Sequence, residues 1–280
     1  MKITASAIRK KYAGLPALDF DLLLAAATEK SREFLYAHPD YRPAFGQRLK
    51  FRRFINLYKK GYSVAAITGR KEFCGLDFFV DRKVLIPRPE TELLVENAAE
   101  QIRETQDEII LIDVGTGSGC IPISIAKKTG IRNVIATDMS GAALRAAKKN
   151  ARKFNVAIKL LRGDLLEPAK KYLNKGGLTI TANLPYLTRA QFDSEKSIQK
   201  EPKMALIADG SDGLSVYGKL FRQIADLKKG FVLFLEIDSQ QAEKITALAE
   251  KYFPGSQTEI KEDLSGRDRL AIVRKSSPNS

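Results

Sequence analysis

Tryptophan is absent from the 280 residues, histidine occurs once, at His38, and cysteine twice, at Cys74 and Cys120. Two thiols cannot build a disulfide framework or a multi-thiolate metal site, and one imidazole forms no cluster. Metal catalysis and Ser-His-Asp chemistry are therefore argued against, and no metal ligands are expected. Long apolar runs are missing too: residues 22–27 fall far short of the ~20 residues that a membrane-spanning helix needs. Lys2, Arg9, Lys10 and Lys11 mark an amino terminus with no apolar segment behind it. That pattern reads as a cytoplasmic chain with reduced thiols and no membrane association.

At 44% hydrophobic and 29% charged residues, the composition is that of an ordinary globular chain, long enough for two domains. Acidic residues are outnumbered, 33 against 47 Lys and Arg, and the net charge is +14. The excess is uneven: residues 1–72 hold 15 basic and 6 acidic side chains, so +9 lies on that segment. Such a segment would meet an anionic partner, nucleic acid or acidic protein, by electrostatic steering, or would serve solubility alone.

From Ser6 to about Thr68 the apolar residues recur at helical spacing, with Leu15, Leu18, Leu22, Leu23, Phe34 and Leu35 in one series. Phe45, Leu49, Phe54, Ile55, Leu57 and Tyr58 form another, and His38-Pro39 marks a break. A small all-α bundle is expected over 1–72. Phe73, Phe78, Phe79, Val80, Val84 and Leu85 around Gly75 and Asp81-Arg82-Lys83 read as a β-hairpin joining two domains over 73–86. From Thr91 onward helices and strands alternate: helix 92–103, strand 109–114, helix 121–128, strand 134–137, helix 141–154, strand 157–161 and strand 178–181. Helix 214–228, strand 230–237, helix 240–252 and strand 270–273 follow. This is an α/β pattern, a Rossmann-like parallel sheet covered on both faces, whose ligands sit beyond the carboxyl ends of its strands.

Asp113-Val114-Gly115-Thr116-Gly117-Ser118-Gly119 leaves a strand and opens a helix. A dinucleotide fingerprint would place its third glycine where Cys120 stands, so this spacing suits a ligand without phosphate. Asp138, ending the next strand, is placed to accept both hydroxyls of a ribose. These features resemble the first two motifs of class I S-adenosylmethionine methyltransferases. The resemblance puts Asp164 and Leu165 beside the adenine, and gives Asp113 a choice between orienting the glycine loop and meeting the cofactor's amino group.

Asn183-Leu184-Pro185-Tyr186 follows the fourth strand. An amide or exocyclic amine is a poor nucleophile because its lone pair is delocalised. A side-chain carbonyl at Asn183 and a main-chain carbonyl at Leu184, accepting both N–H hydrogens, would aim the nitrogen at an electrophilic methyl group. Pro185 stiffens this loop and Tyr186 offers a flat face to the planar group.

Val84-Leu85-Ile86-Pro87-Arg88-Pro89-Glu90-Thr91-Glu92 resembles the signature of the HemK/PrmC family, which methylates the glutamine of the Gly-Gly-Gln loop in peptide chain release factors. The similarity also takes in residues 69–76, Gly163-Asp164-Leu165-Leu166, Glu201-Pro202, Ala205-Leu206, Asp212-Gly213-Leu214 and residues 263–269. It implies a substrate-recognition domain over 1–72, a hairpin linker over 73–86 and a methyltransferase domain over 87–280. S-adenosylmethionine is the implied cofactor, with S-adenosylhomocysteine as product. It is implied to meet Gly115, Thr116, Gly117, Ser118, Gly119, Asp138, Asp164, Leu165 and Asn183. Asn183, Leu184, Pro185, Tyr186, Arg88 and Glu90 are expected to bind the substrate, an acidic release factor, and the enzyme to be a monomer.

One departure stands out. The family usually has two prolines after the asparagine, whereas Asn-Leu-Pro-Tyr is common in ribosomal RNA adenine dimethyltransferases. Those usually carry glutamate where Asp138 stands, and lack both the Arg88 string and the basic helical domain. RNA adenine methylation, methylation of a ribosomal protein glutamine, and a non-enzymatic RNA-binding module with a vestigial pocket are the alternatives. Glu236, Arg267 and Arg269 receive no assigned role; for the two arginines an ion pair with Asp263 or Asp268 competes with substrate binding.

Overall fold

A computed structural model describes residues 3–105, 108–210 and 212–277. The chain divides into two compact units, Met1–Arg70 and Lys71–Ser280.

The described residues of the first unit form helices α1 (Ala5–Lys11), α2 (Ala17–Thr28), α3 (Arg32–Ala37), α4 (Phe45–Lys59) and α5 (Val64–Thr68). Thr4, Ser31 and Ser63 start α1, α3 and α5 by accepting the N–H of Ala7, Phe34 and Ala66, which satisfies donors that the first turn leaves free. The core is built from Phe20, Leu23, Leu24 and Ala27 of α2, Leu35 of α3, and Phe51 and Ile55 of α4. Four members of the apolar series, Leu18, Leu22, Phe45 and Leu49, are instead exposed.

A two-residue turn at Cys74-Gly75, both with positive φ as a type I′ hairpin requires, joins β1 (Arg70–Phe73) to β2 (Leu76–Phe79). The hairpin thus spans 70–79 rather than 73–86, and Asp81–Lys83 is a turn after it. Nor is it a free linker. Phe73 and Phe78 are fully buried among residues of the second unit, each adding roughly 2 kcal/mol by burial. The main chain of Phe79 exchanges two hydrogen bonds, both 2.8 Å, with the Asn150 side chain.

Beyond it come α6 (Glu92–Glu104), β3 (Ile109–Val114), α7 (Cys120–Thr129), β4 (Val134–Asp138), α8 (Gly141–Phe154), β5 (Lys159–Arg162), β6 (Gly177–Ala182) and α9 (Arg189–Ser194). The unit ends with α10 (Ser215–Ile224), β7 (Phe231–Glu236), α11 (Ala242–Tyr252), β8 (Gln257–Glu262) and β9 (Asp268–Lys275). The large sheet has the order β5-β4-β3-β6-β7-β9-β8, with β9 antiparallel to both neighbours. Period-two alternation sends Ile110, Ile112 and Val114 of β3 to one face, with α10 and α11. Ile109 and Leu111 go to the other, with α6 and α7. Strand β8 escapes the sequence pattern because Gln257-Thr258-Glu259-Ile260-Lys261-Glu262 is an edge strand with little apolar content. The switch point between β3, leading to β4, and β6 opens a crevice at the strand carboxyl ends, where Gly115, Asp138 and Asn183 all lie.

Candidate active site

The glycine loop begins where β3 ends. Gly115 has φ +73° and an added Cβ would lie 2.9 Å from Leu184 Cδ2, so the loop passes directly against the residue that departs from the family pattern. A Cβ on Gly117 would meet nothing within 4 Å, leaving an open face, while Gly119 caps α7 and packs against Ala147. Thr116 and Ser118 are buried, and among the described residues their hydroxyls make no hydrogen bond of regular geometry. Asp138 Oδ2 accepts the Gly117 N–H at 2.9 Å and Oδ1 accepts the Ser140 N–H at 2.8 Å. Each carboxylate oxygen keeps a second lone pair. Burial raises the Asp138 pKa, against the pull of those two N–H groups. The open face over Gly117 beside a half-buried carboxylate fits a polar, phosphate-free ligand.

Asp113 is fully buried, accepting the Thr181 hydroxyl at 2.7 Å, and burial pushes its pKa up to about 7. This geometry favours orienting the loop over meeting a ligand. Asp164 pairs with Lys219 of α10 at 2.6 Å. Leu165 adopts φ +49°, a left-handed conformation uncommon for a leucine, and Gln223 of α10 accepts the next N–H, from Leu166, at 2.8 Å.

Asn183, Leu184 and Tyr186 line a narrow cavity with Leu85, Arg88, Leu206 and Glu236. Asn183 Nδ2 donates to Thr91 Oγ1 at 3.2 Å, so its carbonyl oxygen is the free end of the amide. The Leu184 N–H points to the Tyr217 hydroxyl at 3.4 Å, and that hydroxyl donates to the main-chain carbonyl of Glu236. Tyr186 donates to Glu236 Oε1 at 3.3 Å, and its carbonyl accepts from Gln241 at 3.2 Å. A Cβ on Gly213 would fall 2.0 Å from that carbonyl, which explains the glycine. Pro185 is half-buried between them.

The signature string is pinned at three points. Arg88 pairs with Glu201 at 2.5 Å, Thr91 meets Asn183, and Glu92 accepts the Cys74 N–H of the hairpin turn at 2.8 Å. Glu90 is exposed and does not line the cavity. Arg269 pairs with Asp263 at 3.2 Å and donates to the Ile237 carbonyl at 3.3 Å. It is thereby a structural ion pair behind Tyr186. Asn150, Tyr217 and Gln241 escaped the sequence reading, since each acts through a partner far along the chain, whereas Thr91 belongs to the signature string expected to close over the site. Only a polar Asn150 amid the alanines of α8 was a visible signal.

Residues 2–69 match the PrmC N-terminal domain, and residues 89–181 match ribosomal protein L11 methyltransferase (PrmA). The release factor glutamine methyltransferase of Bacillus subtilis (strain 168) is 34% identical over 263 residues, covering 91% of each chain. That of Moorella thermoacetica is 36% identical over 277 residues, covering 95% of each. The chain belongs to the release factor glutamine methyltransferase family. Its fold is also that of the N-terminal domain of human METTL16 in complex with SAH. There the TM-score is 0.53 and the identity 18%, over 95% of this chain and 97% of that one. The PrmA match stops at Thr181, so residues 183–186 lie outside it.

Proposed function

We propose that this chain transfers a methyl group from S-adenosylmethionine to the side-chain amide nitrogen of the glutamine in the Gly-Gly-Gln motif of peptide chain release factors. Kinship with release factor glutamine methyltransferases over nearly the whole chain carries this reading. Asn183, whose amide nitrogen is engaged by Thr91, supplies the matching chemistry.

When bound, the cofactor supplies an electrophilic methyl on a cationic sulfur. Gly115, Thr116, Gly117, Ser118 and Gly119 shape its cradle, Asp138 holds the ribose, and Asp164 with Leu165 borders the adenine. Asn183 Oδ1 and the Leu184 carbonyl accept the two amide hydrogens of the acceptor, and Tyr186 packs on its plane. Orientation and polarisation, not a strong base, raise the nitrogen's reactivity. The methyl replaces one amide hydrogen, which leaves as a proton. Arg88 shapes the entrance, while exposed Glu90 is left to contact the peptide beyond it.

Residues 1–72 would recognise the acidic release factor, and the enzyme would act as a monomer in the cytoplasm. Among the described residues no helix is long and apolar enough to cross a membrane. RNA adenine methylation and a ribosomal protein substrate are not favoured by these relatives. The test offers labelled S-adenosylmethionine with a purified release factor and, in parallel, ribosomal RNA. Label on the protein that is abolished by Asn183→Ala is expected; label on RNA alone would overturn the reading.

A further inference from the structure

We infer that Lys219 and Gln223, one turn apart on α10, are positioning residues for the base of the cofactor: together they fix the turn Asp164–Glu167 so that Asp164 meets the amino edge of adenine. The inference rests on reading Asp138 as the ribose holder and Asp164 with Leu165 as the adenine border.

The sheet order places that turn. Strands β5, β4, β3 and β6 stand side by side and parallel, so their carboxyl ends line up the turn after β5, Asp138, the glycine loop and Asn183 in that order. A nucleoside whose ribose lies at Asp138 and whose other end reaches toward Asn183 carries its base to the opposite side, over the end of β5. The Gly163 N–H donates to the Asp138 carbonyl at 3.1 Å, so the turn starts directly beside the ribose position.

The turn does not hold itself. The Glu167 N–H donates to the Asp164 carbonyl at 3.0 Å, and Leu166 has φ −90° and ψ −7°, which leaves Leu165, at φ +49°, as the first central residue. Positive φ there belongs to glycine in ordinary turns, and a leucine keeps it only where its surroundings insist. Burial of Leu165 and Leu166 in the core supplies one constraint. Helix α10 supplies two more: Gln223 Oε1 accepts the Leu166 N–H at 2.8 Å, and Lys219 Nζ meets Asp164 Oδ2 at 2.6 Å. Residues four apart share a helix face, so a single element grips both the backbone and the carboxylate of the turn.

The lysine of this pair is more than half exposed, so the contact adds little stability; what it sets is direction. With Oδ2 committed to the ammonium, Oδ1 is the oxygen left for a donor. Adenine offers one in its 6-amino group, whereas a 6-oxo purine presents an acceptor that a carboxylate repels.

The probes that read this edge are S-adenosylhomocysteine and its 6-oxo analogue S-inosylhomocysteine, titrated by calorimetry into the full-length enzyme. Wild type should bind the adenosine compound at least about tenfold more tightly. Lys219→Met should weaken S-adenosylhomocysteine about tenfold and leave S-inosylhomocysteine within about threefold, bringing the ratio close to one. Gln223→Met, which frees the turn backbone, should lower the ratio at least about threefold. Lys219→Arg keeps the cation and should stay within about threefold of wild type for both ligands. Arg222→Ala, at an exposed position of the same helix, should change neither constant. A ratio unchanged in either Met variant, whether affinity falls or not, marks that residue as merely structural and overturns its role. Should Gln223→Met not fold, the exposed Lys219→Met decides alone. Asp164→Ala separates the inference from the reading beneath it. If the wild-type ratio is near one, or Asp164→Ala leaves it intact, Asp164 does not border the base and that reading falls. If Asp164→Ala collapses the ratio while the α10 variants do not, only the positioning role falls.

Discussion

The guanidinium of Arg88 meets the carboxylate of Glu201 at 2.5 Å, tying together two segments 113 residues apart. Glu201 also accepts the Ile86 N–H at 3.1 Å, so one side chain that is 7% exposed holds both the charge and the main chain of the signature string. Glu201→Ala leaves a largely buried donor pair without partner and should cost about 2 kcal/mol in urea unfolding. Arg88→Ala, on the more exposed side, should cost about 1 kcal/mol. The double variant should resemble Glu201→Ala alone; additive losses would show that the two groups do not act as a pair.

Gly115 and Leu184 are fitted to each other. A methyl at 115 faces both φ +73° and a 2.9 Å approach to Leu184 Cδ2, so Gly115→Ala should weaken cofactor binding at least about tenfold by calorimetry. Adding Leu184→Ala removes the clash but not the backbone strain, and should restore binding only in part. Leu184→Pro gives up the 3.4 Å N–H contact to Tyr217 but keeps the carbonyl, so methyl transfer should stay within about threefold. A complete loss without unfolding would show a different acceptor geometry.

Asp113 makes a signed pH prediction. Its folded pKa is raised from 3.8 to about 7 by burial, so the folded state holds a proton that the unfolded state has released between those values. Stability from this group is present below pH ~4, falls as pH rises, and is flat above pH ~7. Asp113→Asn keeps an acceptor for Thr181 and cannot ionise. Its stability relative to wild type should therefore rise across pH 4–7, by on the order of 4 kcal/mol at most. Parallel stability curves for the two proteins would refute the shift.

Much of this was legible because helix and strand periods differ and the strand ends carry the candidate site residues in order. Helix α8 runs over Gly141–Phe154 and strand β3 over Ile109–Val114, the spans that the apolar pattern marks. The edge was legible only in part: β8 hides in alternating polar residues, while β9 covers the expected strand 270–273 but its antiparallel direction has no local signature. The hairpin was misplaced because Asp81-Arg82-Lys83 looks more turn-like than Cys74-Gly75, although φ of +49° and +71° at the latter pair makes the turn. Within the candidate site, residue types pointed to Asn183 and Asp138 and the signature string took in Thr91, but the partners of Thr91, Tyr217 and Tyr186 lie 33 to 92 positions away, which no window along the chain can see.

The basic first unit yields a prediction about substrate capture. On α4, Phe45 is 74% and Leu49 58% exposed, and Arg52 and Arg53 are exposed on the same helix. An apolar strip flanked by cations suits an acidic protein surface: the charges speed encounter, and the apolar groups add burial. At physiological salt the screening length is about 8 Å, so attraction between such faces should fade as salt is added. Arg52→Glu with Arg53→Glu should raise KM for an intact release factor about tenfold at low salt, with a smaller effect at high salt. The Kd for S-adenosylmethionine and the turnover of a short Gly-Gly-Gln peptide should not change. If KM for the wild-type enzyme proves insensitive to ionic strength, the charge of residues 1–72 plays no part in substrate capture, and its role reverts to solubility or to RNA.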